Sequence, residues 1–321
     1  MDGAQRYTAM RRAQRLSSHL PSKWDRRLRE LGKLTFDYRG FRSTGLRGLT
    51  FHRLRKSTRL VSAPYGAGTM IVDTSDDQIG RMVFMRGDWE RLYLGAAVDY
   101  LRSTGVERPL GSTFVDVGAN IGTSTLDALL HFGFERAVCF EPDPRNFTLL
   151  RLNLVLNDLD GRTSCHAAAV SAVDGEAVME RAADMNFGDS RLVVGVPEGV
   201  DTEVVVTRPL DWLLDDGRLT ADDIGLIWVD AQGHDPFVLQ GATRLLAAGV
   251  PMVVEYCPEV LDRSGSYLLL EQLIADGFST VIDLKRRCEG AADGGVLAAK
   301  DVGVLRSRYR GAEVTDLLLV R

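Results

Sequence analysis

The hydrophobic and polar positions of this chain follow different periods in its first and later parts. Between residues 5 and 33, apolar residues recur every three to four positions among basic ones, which predicts one amphipathic helix or two short ones. Residues 34–60 are rich in Gly and Arg and show no regular period. From residue 69 onward, short apolar runs bounded by turns replace the helical pattern. We therefore predict a mainly helical extension over residues 1–68 and a separate domain over residues 69–321.

Strand-like and helical patterns alternate in the first part of this domain. Apolar runs at 112–120, 136–142 and 163–171 are typical of buried strands, and amphipathic segments of helical length separate them. Strands separated in this way predict βαβ units with right-handed crossovers and a parallel sheet. The expected architecture is a doubly wound α/β fold.

The later part of the domain continues the alternation after one interruption. Residues 174–209 contain two strand-like runs around a polar loop, which predicts an inserted hairpin. A single helix is expected over 237–248, with Gly249 ending it. Further strands are predicted at 224–233, 251–258, 279–285 and 316–321.

Charge is distributed unevenly along the chain. Residues 1–60 contain 16 Lys and Arg against four Asp and Glu, a net charge of +12, so the remaining residues carry −17 to give the chain its −5. A basic segment can bind nucleic acid, a membrane surface or an acidic partner, but it is more often a solvated helix face. We consider nucleic acid unlikely as a partner, because the segment lacks interleaved aromatic residues and a recognisable binding motif.

The cysteines and the apolar runs indicate the cellular compartment in which the protein is expected. The four cysteines form no C-x-x-C pair and no cluster with zinc spacing, which is typical of a reducing environment. No apolar run reaches the roughly 18 residues needed to span a bilayer, and the N-terminus lacks the apolar core of a signal peptide. We therefore expect a cytoplasmic protein without a membrane span, and we leave open whether it forms a homo-oligomer.

A glycine turn after the first strand of the alternation carries the main functional signal. Residues 114–122 read FVDVGANIG, so an apolar strand runs into a turn that contains Gly118 and Gly122. Glycine permits positive φ and a close approach of the backbone to a ligand. The following helix presents free N–H groups, and open α/β sheets bind ligands at this end of their strands.

Two acidic residues indicate the class of ligand. Glu141 ends the next strand, 19 residues after Gly122 (141 minus 122), and an acid at about this offset binds the ribose hydroxyls of a nucleoside. Asp116 lies beside the turn, where it would repel a pyrophosphate but attract the ammonium group of S-adenosylmethionine (SAM). The turn reads D-x-G-x-N-x-G instead of the G-x-G-x-x-G of dinucleotide sites, which favours SAM over NAD.

The chain from about residue 69 to its end resembles the FkbM-type methyltransferases. The resemblance is carried by FVDVGANIGTSTL, CFEPDPRNFTLLRLNLVLN, AAVS, the segment around PLDWLL, and WVDAQGHDPFVLQGA followed by VVEYCP. It implies a SAM-dependent enzyme with a Rossmann-like, mostly parallel, seven-stranded sheet. The cofactor residues that it implies are Asp116, Gly118, Asn120 and Gly122 for the methionine and ribose, Glu141 for the ribose hydroxyls, and Ala169 and Val170 near the adenine.

The segment after the fourth strand departs from the family pattern. Family members often read K-x-D-x-E-G-x-E here, whereas this chain has WVDAQGHD at 228–235, so roles of the missing Lys and of the first Glu cannot be transferred. We expect His234 to act as a general base, because imidazole titrates near neutral pH, with Asp230 or Asp235 orienting it. In the alternative, His234 is a turn residue bonded to backbone and Asp230 caps the next helix. We expect no metal, because the spacing of these residues and Glu255 is not diagnostic.

The resemblance implies O-methylation of a small hydroxylated molecule, such as a sugar, a glycan or a polyketide-type natural product. Two other classes remain open: a nucleic-acid methyltransferase that uses the basic N-terminus, and a non-catalytic nucleoside-binding module. We expect the acceptor pocket to be walled by residues 81–90 and by a loop with Asn186, Asp189 and Ser190. Trp89 and Trp228 are either stacking surfaces for the acceptor or ordinary core residues.

Overall fold

The computed structural model describes part of the chain. Described residues are 41–105, 112–182, 186–193 and 199–321, with side chains from residue 47 onward. The helical pattern predicted over residues 5–33 lies outside them. Two compact units divide the chain between Ser57 and Thr58, earlier than the predicted boundary after residue 68. The first unit contains the described helix α1 (Phe41–Leu54).

The second unit contains the sheets. Its described strands are β1 (Leu60–Tyr65), β2 (Gly68–Asp73), β3 (Thr113–Val117), β4 (Arg136–Phe140), β5 (Thr163–His166), β6 (Ala169–Val170), β7 (Gly175–Glu180), β8 (Arg191–Val193), β9 (Thr202–Arg208), β10 (Ile224–Val229), β11 (Met252–Tyr256), β12 (Thr280–Asp283), β13 (Val296–Ala298) and β14 (Thr315–Val320).

Helices connect most of these strands. The described α-helices are α2 (Ile79–Arg86), α3 (Arg91–Ser103), α4 (Thr123–His131), α5 (Pro144–Leu156), α6 (Asp235–Gln240), α7 (Thr243–Ala247), α8 (Pro258–Ser264), α9 (Tyr267–Gly277), α10 (Leu284–Cys288) and α11 (Leu305–Arg308). Short 3₁₀ helices lie at Asp160–Arg162, Leu210–Leu214, Ala221–Asp223 and Ala299–Val304. Within the described part of the chain, no helix has the length and apolar character that crossing a membrane requires.

The main sheet confirms the predicted fold class. Its eight strands run in the order β13-β12-β14-β11-β10-β3-β4-β5. The five strands from β11 to β5 are mutually parallel, whereas β14 is antiparallel to both neighbours. The sheet has one strand more than the predicted seven, because the three-residue strand β13 pairs with β12 at the edge. A strand this short has too few residues to show a periodic pattern.

The central strands read as continuous apolar runs because helices cover both faces of the sheet. Every residue of β3 and β10 is buried. On one face, Val115 and Ile227 share a core cluster with residues of α6 and α9. On the other face, the ring of Phe114 lies 5.3 Å from that of Phe134. Complete burial of such side chains contributes about 1.5–3 kcal/mol each.

The strand order creates a crevice beside β3. The chain passes from β3 to β4 and β5 on one side, and β10 later pairs with β3 on its other side. Connections from β3 and β10 therefore leave in opposite directions at the carboxyl ends of these strands. Ligands of open α/β folds bind at such a switch point.

The inserted segment forms a small sheet instead of a simple hairpin. The two predicted strands, β7 and β9, pair antiparallel as expected. The loop between them adds β8, which pairs with the other edge of β7. Strand β9 also pairs in parallel with β6, so four strands form a sheet in the order β6-β9-β7-β8.

The single helix predicted over residues 237–248 is divided into α6 and α7. A Cβ atom at Gly241, between them, would lie 2.2 Å from the carbonyl oxygen of Ser171. This contact between backbones cannot be anticipated from the local pattern. The break brings the end of α6 against the chain after β6, which forms part of the site.

Candidate active site

A cavity of about 610 Å³ opens at the carboxyl ends of β3, β4, β10 and β11. Predicted site residues that line it are Asp116, Gly118, Asn120, Glu141, Ala169, Val170, Asp230 and His234. The sequence therefore identified residues that the fold brings together from four separate segments. The predicted residues Gly122 and Asp235 do not line the cavity.

The glycine turn holds β3, β4 and β10 in close contact. The backbone N–H groups of Gly118 and Ala119 both donate to the carbonyl oxygen of Phe140, at 2.9 and 3.0 Å. Gly118 has a φ of +83°, and a Cβ atom there would lie 1.9 Å from the carbonyl oxygen of Asp230. A side chain at this position would force β3 and β10 apart.

Gly122 has a structural role at the entrance of the next helix. It precedes α4 with a φ of +93°, and a Cβ atom would lie 2.9 Å from Cδ1 of Leu150. The residue therefore sets the direction in which α4 leaves the turn. Its predicted contact with a cofactor has no support in this position.

Asp116 places a carboxyl group at the cavity beside the turn. The residue is 1% exposed, and Thr125 Oγ1 donates to its Oδ2 at 2.5 Å. Burial, together with the nearby charge of Asp230, raises the pKa of Asp116 to about 7. Among the described residues no cationic side chain forms an ion pair with it. A cation in the cavity would favour its ionised form.

Glu141 lies across the turn from Asp116, at the end of β4. Its two carboxylate oxygens accept hydrogen bonds from the backbone N–H groups of Asp143 at 2.7 Å and Asn120 at 2.8 Å. Burial nevertheless raises the pKa of Glu141 to about 8. Each oxygen keeps a second lone pair, so the group can still accept hydrogen bonds from a ligand.

Two amide oxygens in the cavity wall have no hydrogen-bond partner. They belong to Asn120 and Asn146, and both oxygens are inaccessible to solvent. Asn146 is 2% exposed, and its Nδ2 donates to the carbonyl oxygen of Phe187 at 2.9 Å. Unpaired buried acceptors are costly, and neither oxygen is accessible to a ligand in this conformation. Sequence reasoning missed Asn146, because its place in the first turn of α5 has an ordinary helical interpretation.

The loop around Phe187 closes the Glu141 side of the cavity. The Arg145 guanidinium lies 4.4 Å from the centre of the Phe187 ring, and Ser190 Oγ donates to Asp143 at 3.3 Å. Asn186 and Ser190 line the cavity as predicted, whereas Asp189 does not. The loop is therefore attached to the start of α5, the helix that follows Glu141.

His234 lies on the opposite side, near the end of β10. Its Nε2 is 2.9 Å from Ser171 Oγ, and its ring stacks on Phe237 with centroids 4.6 Å apart. Burial lowers the pKa of His234 to about 4. The imidazole is therefore neutral at pH 7 and can accept a proton as a weak base.

Neither predicted carboxylate orients His234 in the described structure. Asp230 Oδ1 accepts a hydrogen bond from Gln232 Nε2 at 2.8 Å. Asp235 is fully buried and accepts hydrogen bonds from the backbone N–H groups of Gly233 at 3.2 Å and Glu255 at 3.3 Å. We therefore revise the prediction: Ser171 positions the imidazole, and Asp235 joins the start of α6 to β11.

The two tryptophans of interest both reach the cavity wall. Trp228 is only 2% exposed and lies in register with Asp116 on the neighbouring strand, so most of its ring is core. Trp89 is half-buried and precedes Glu90, at the start of α3. The segment at 81–90 predicted as a wall therefore contributes its last two residues to the cavity.

The acidic side chains of the site do not form a metal centre. Within the described residues, no three His, Cys, Asp or Glu side chains are grouped so that they could hold a metal ion.

Fold and cavity together define a Rossmann-like protein with a ligand cleft at the switch point of its sheet. Residues 116–274 match the family model described as the methyltransferase FkbM domain. This segment therefore carries the FkbM methyltransferase domain, the domain of the family that the motifs of the chain resemble. The cofactor predicted from the sequence, SAM, agrees with a methyltransferase domain.

Solved structures with detectable similarity are distant from this chain. Methyltransferase FkbM from Methylobacillus flagellatus KT is 18% identical, with a TM-score of 0.36, and the match covers 71% of this chain and 52% of that one. The chain thus spans about half the length of that protein. TYW2 from P. horikoshii in complex with MeSAdo is 12% identical, with a TM-score of 0.40 and coverages of 82% and 71%. Geranyl diphosphate methyltransferase in complex with SAM is 13% identical, with a TM-score of 0.40 and coverages of 75% and 88%. No curated protein matches the chain.

Proposed function

We propose that this protein binds SAM in the cavity and transfers its methyl group to a hydroxyl of a small molecule. One observation carries the proposal: the carboxyl groups of Asp116 and Glu141 face one cavity from adjacent strands, on either side of a glycine turn. An acid that lacks a cationic partner suits the methionine ammonium. An acid that can still accept hydrogen bonds suits a ribose.

The residues present fit this cofactor. Asp116 would hold the ammonium group, and Glu141 would accept hydrogen bonds from the ribose hydroxyls. Asn120 and Asn146 line the same cavity and would lie beside the nucleoside. Ala169 and Val170 offer an apolar surface for the adenine. When bound, SAM supplies an electrophilic methyl group on a sulfonium.

The side chains near β10 supply the remaining chemistry. An aliphatic hydroxyl must lose its proton when it is methylated, and a positioned base contributes roughly 10²–10⁴-fold to such a step. His234 is neutral and is held by Ser171 Oγ at 2.9 Å, so it can take that proton. The cavity also holds the hydroxyl in place, which removes part of the entropic barrier.

The size of the cavity favours a small acceptor. A volume of about 610 Å³ is within the range of small-molecule sites, roughly 300–1,000 Å³. The proposed location is the cytosol, as expected from the scattered positions of the four cysteines. The basic N-terminus is the feature that favours nucleic acid instead. Steeply salt-dependent RNA or DNA binding, lost on deletion of residues 1–57, would support that alternative.

Calorimetric titration with SAM and with S-adenosylhomocysteine tests the cofactor site. We expect Asp116→Asn and Glu141→Gln each to weaken SAM binding by at least about tenfold, which corresponds to 1.4 kcal/mol. Asp99→Asn is the matched control, because Asp99 is 73% exposed on α3. Unchanged affinity in both site variants would refute the assignment.

Methyl transfer itself needs a separate measurement. The protein is incubated with isotopically labelled SAM and a panel of hydroxylated metabolites, and the products are identified by mass spectrometry. Labelled product from the wild type, absent with the Glu141→Gln variant, is expected. SAM binding without transfer to any acceptor would favour the non-catalytic alternative.

A further inference from the structure

Three further carboxyl groups lie in or next to the part of the cavity away from Glu141. Glu90 and Glu255 line the cavity. Asp316 does not line it, but it is the register partner of Glu255 across β11 and β14. Directly opposed residues of paired strands project on the same face of the sheet. We call Glu90, Glu255 and Asp316 the acidic wall.

Among the described residues, no cationic side chain forms an ion pair with the acidic wall. Asp316 is 8% exposed, and within the described residues its carboxyl group has neither a hydrogen bond nor an ion pair. The same holds for the carboxyl group of Glu255. Glu90 has a hydrogen bond with the side chain of Trp89. Burial raises the pKa of Glu90 most, followed by the negative charge of Asp316. Burial also raises the pKa of Glu255 most, followed by the charges of Asp230, Asp235 and Asp316.

Cations elsewhere in the cavity do not neutralise this charge. Arg191 lines the cavity but forms an ion pair with Glu180 at 2.8 Å. His234 is neutral at pH 7, as argued above. Grouping buried like charges is expensive unless something pairs with them. A positively charged ligand would offset this cost.

The backbone at Glu90 directs a carboxylate to this wall. Glu90 has a φ of 57°, a left-handed conformation that costs a residue with a Cβ atom of the order of 1–3 kcal/mol. Its side chain does not cap α3. Strain of this kind persists where the surrounding structure fixes it, and it is concentrated at functional sites.

Glu255 and Asp316 are separate from Glu141, the proposed ribose residue, whereas Glu90 is near enough to Asp116 for the charge of Asp116 to raise its pKa. Glu141 lies on β4, to one side of β3, whereas β11 and β14 lie beyond β10 on the other side. The nucleoside of SAM would therefore extend away from the wall. The wall faces the part of the cavity that remains for the acceptor.

We propose that the acidic wall binds a positively charged amino group of the acceptor. The substrate class is then a small molecule with both an ammonium group and the hydroxyl to be methylated. This inference rests on the proposed function and adds a determinant of specificity to it. Neutral sugars and neutral polyketides would lack the group that the wall recognises.

Binding of matched sugars to the protein saturated with S-adenosylhomocysteine tests the proposal. The probes are glucosamine, N-acetylglucosamine and glucose, titrated by calorimetry. We expect glucosamine to bind at least about tenfold more tightly than the other two, since close charge pairs contribute roughly 1.5 kcal/mol or more. Equal affinities for the three sugars, including no binding by any, would overturn the proposal. So would a preference for Mg²⁺ over glucosamine.

Variants separate this inference from the cofactor site. In the double variant Glu255→Gln/Asp316→Asn, we expect the glucosamine preference to be lost and the affinity for S-adenosylhomocysteine to stay within twofold. Glu259→Gln, at an exposed position on α8, is the control that keeps the preference. If the wild-type protein does not bind S-adenosylhomocysteine, that result refutes the proposed function instead.

A second readout covers the chance that the double variant misfolds. Because the carboxyl groups repel one another, amides of the same shape should raise the melting temperature of the ligand-free protein. Glu90→Gln alone should do so to a smaller extent. A fall in melting temperature in both variants would show that the wall is structural, and it would contradict the proposal.

Discussion

At the scale of single residues, the site depends on how burial alters carboxyl groups. Asp116 and Glu141 have pKa values raised to about 7 and 8, so both carry protons during part of the physiological pH range. A bound cation or hydrogen-bond donor favours their ionised forms. Ligand affinity and pH are therefore linked through these two residues.

We predict that SAM binds more tightly as the pH rises from 6 to 8. Below its pKa of about 7, Asp116 is mostly protonated and must lose a proton to pair with the ammonium group, at a cost of up to tenfold in affinity per pH unit. Above this pKa the dependence on Asp116 ends. Calorimetry at pH 6, 7 and 8 measures the slope. Asp116→Asn should flatten it, and an equally steep slope in that variant would show that another group is responsible.

His234 gives a different pH profile. Its pKa of about 4 leaves it neutral at and above pH 5, so a base at this position predicts no inflection in kcat near 6.5 at saturating SAM. We expect His234→Gln to lower kcat by about 10²–10⁴-fold with little change in SAM affinity. Ser171→Ala, which removes only the positioning contact, should have a smaller effect. If His234→Gln kept the kcat of the wild type, His234 would not be the general base.

At the scale of elements, contacts between strands determine which residues the sequence can tolerate. Gly118 allows the turn after β3 to lie against the backbone of Asp230, after β10. This contact joins the two strands whose divergence opens the cavity. The turn is therefore needed for the sheet as well as for a ligand.

Gly118→Ala should strongly destabilise the protein. Its Cβ atom would lie 1.9 Å from a backbone oxygen at a φ of +83°, so two strands must move, and we expect a loss of more than about 3 kcal/mol. Gly161→Ala is the control, because a Cβ atom there has no neighbour within 4 Å. Urea unfolding monitored by circular dichroism measures both. Equal stability of the two variants would contradict the described packing.

Much of the fold and part of the site follow from local sequence patterns. The central strands are recognisable because burial on both faces requires continuous apolar runs, and Asp116 and Glu141 follow those runs directly. Asp316 is on a strand that was predicted, but its place beside Glu255 depends on pairing between distant segments. Asn146 was missed because an unpaired amide has no sequence pattern of its own. Glu90 belongs to the predicted wall at 81–90, but its left-handed backbone could not be predicted for the same reason. The position of Asp235 behind the wall of the cavity was also beyond local reasoning.

At the scale of the whole molecule, the protein has several buried carboxyl groups at the edge of its main sheet where the parallel strands end. Burial raises the pKa of Asp235 to about 7 and that of Asp316 to about 8, as it does for Asp116 and Glu141. A fold that buries such groups without an ion pair among the described residues sacrifices stability at a site where a ligand can restore it.

The ligand-free protein should become less stable as the pH rises. Acids with raised folded-state pKa values bind more protons when folded than when unfolded, so the free energy of unfolding falls with pH from the unfolded values near 4 to the folded values of about 7–8. Urea unfolding at pH 5 and pH 8 tests this, and Asp316→Asn should reduce the difference. A larger free energy of unfolding at pH 8 than at pH 5 would contradict this prediction.

The most direct test is a crystal structure of the complex with S-adenosylhomocysteine. We predict that the amino group of this ligand lies within hydrogen-bond distance of the Asp116 carboxylate and that its ribose hydroxyls donate to Glu141. The acidic wall should remain accessible beside the position of the missing methyl group. A ligand bound elsewhere, or one in this cavity whose amino group and ribose avoid both carboxylates, would contradict the account.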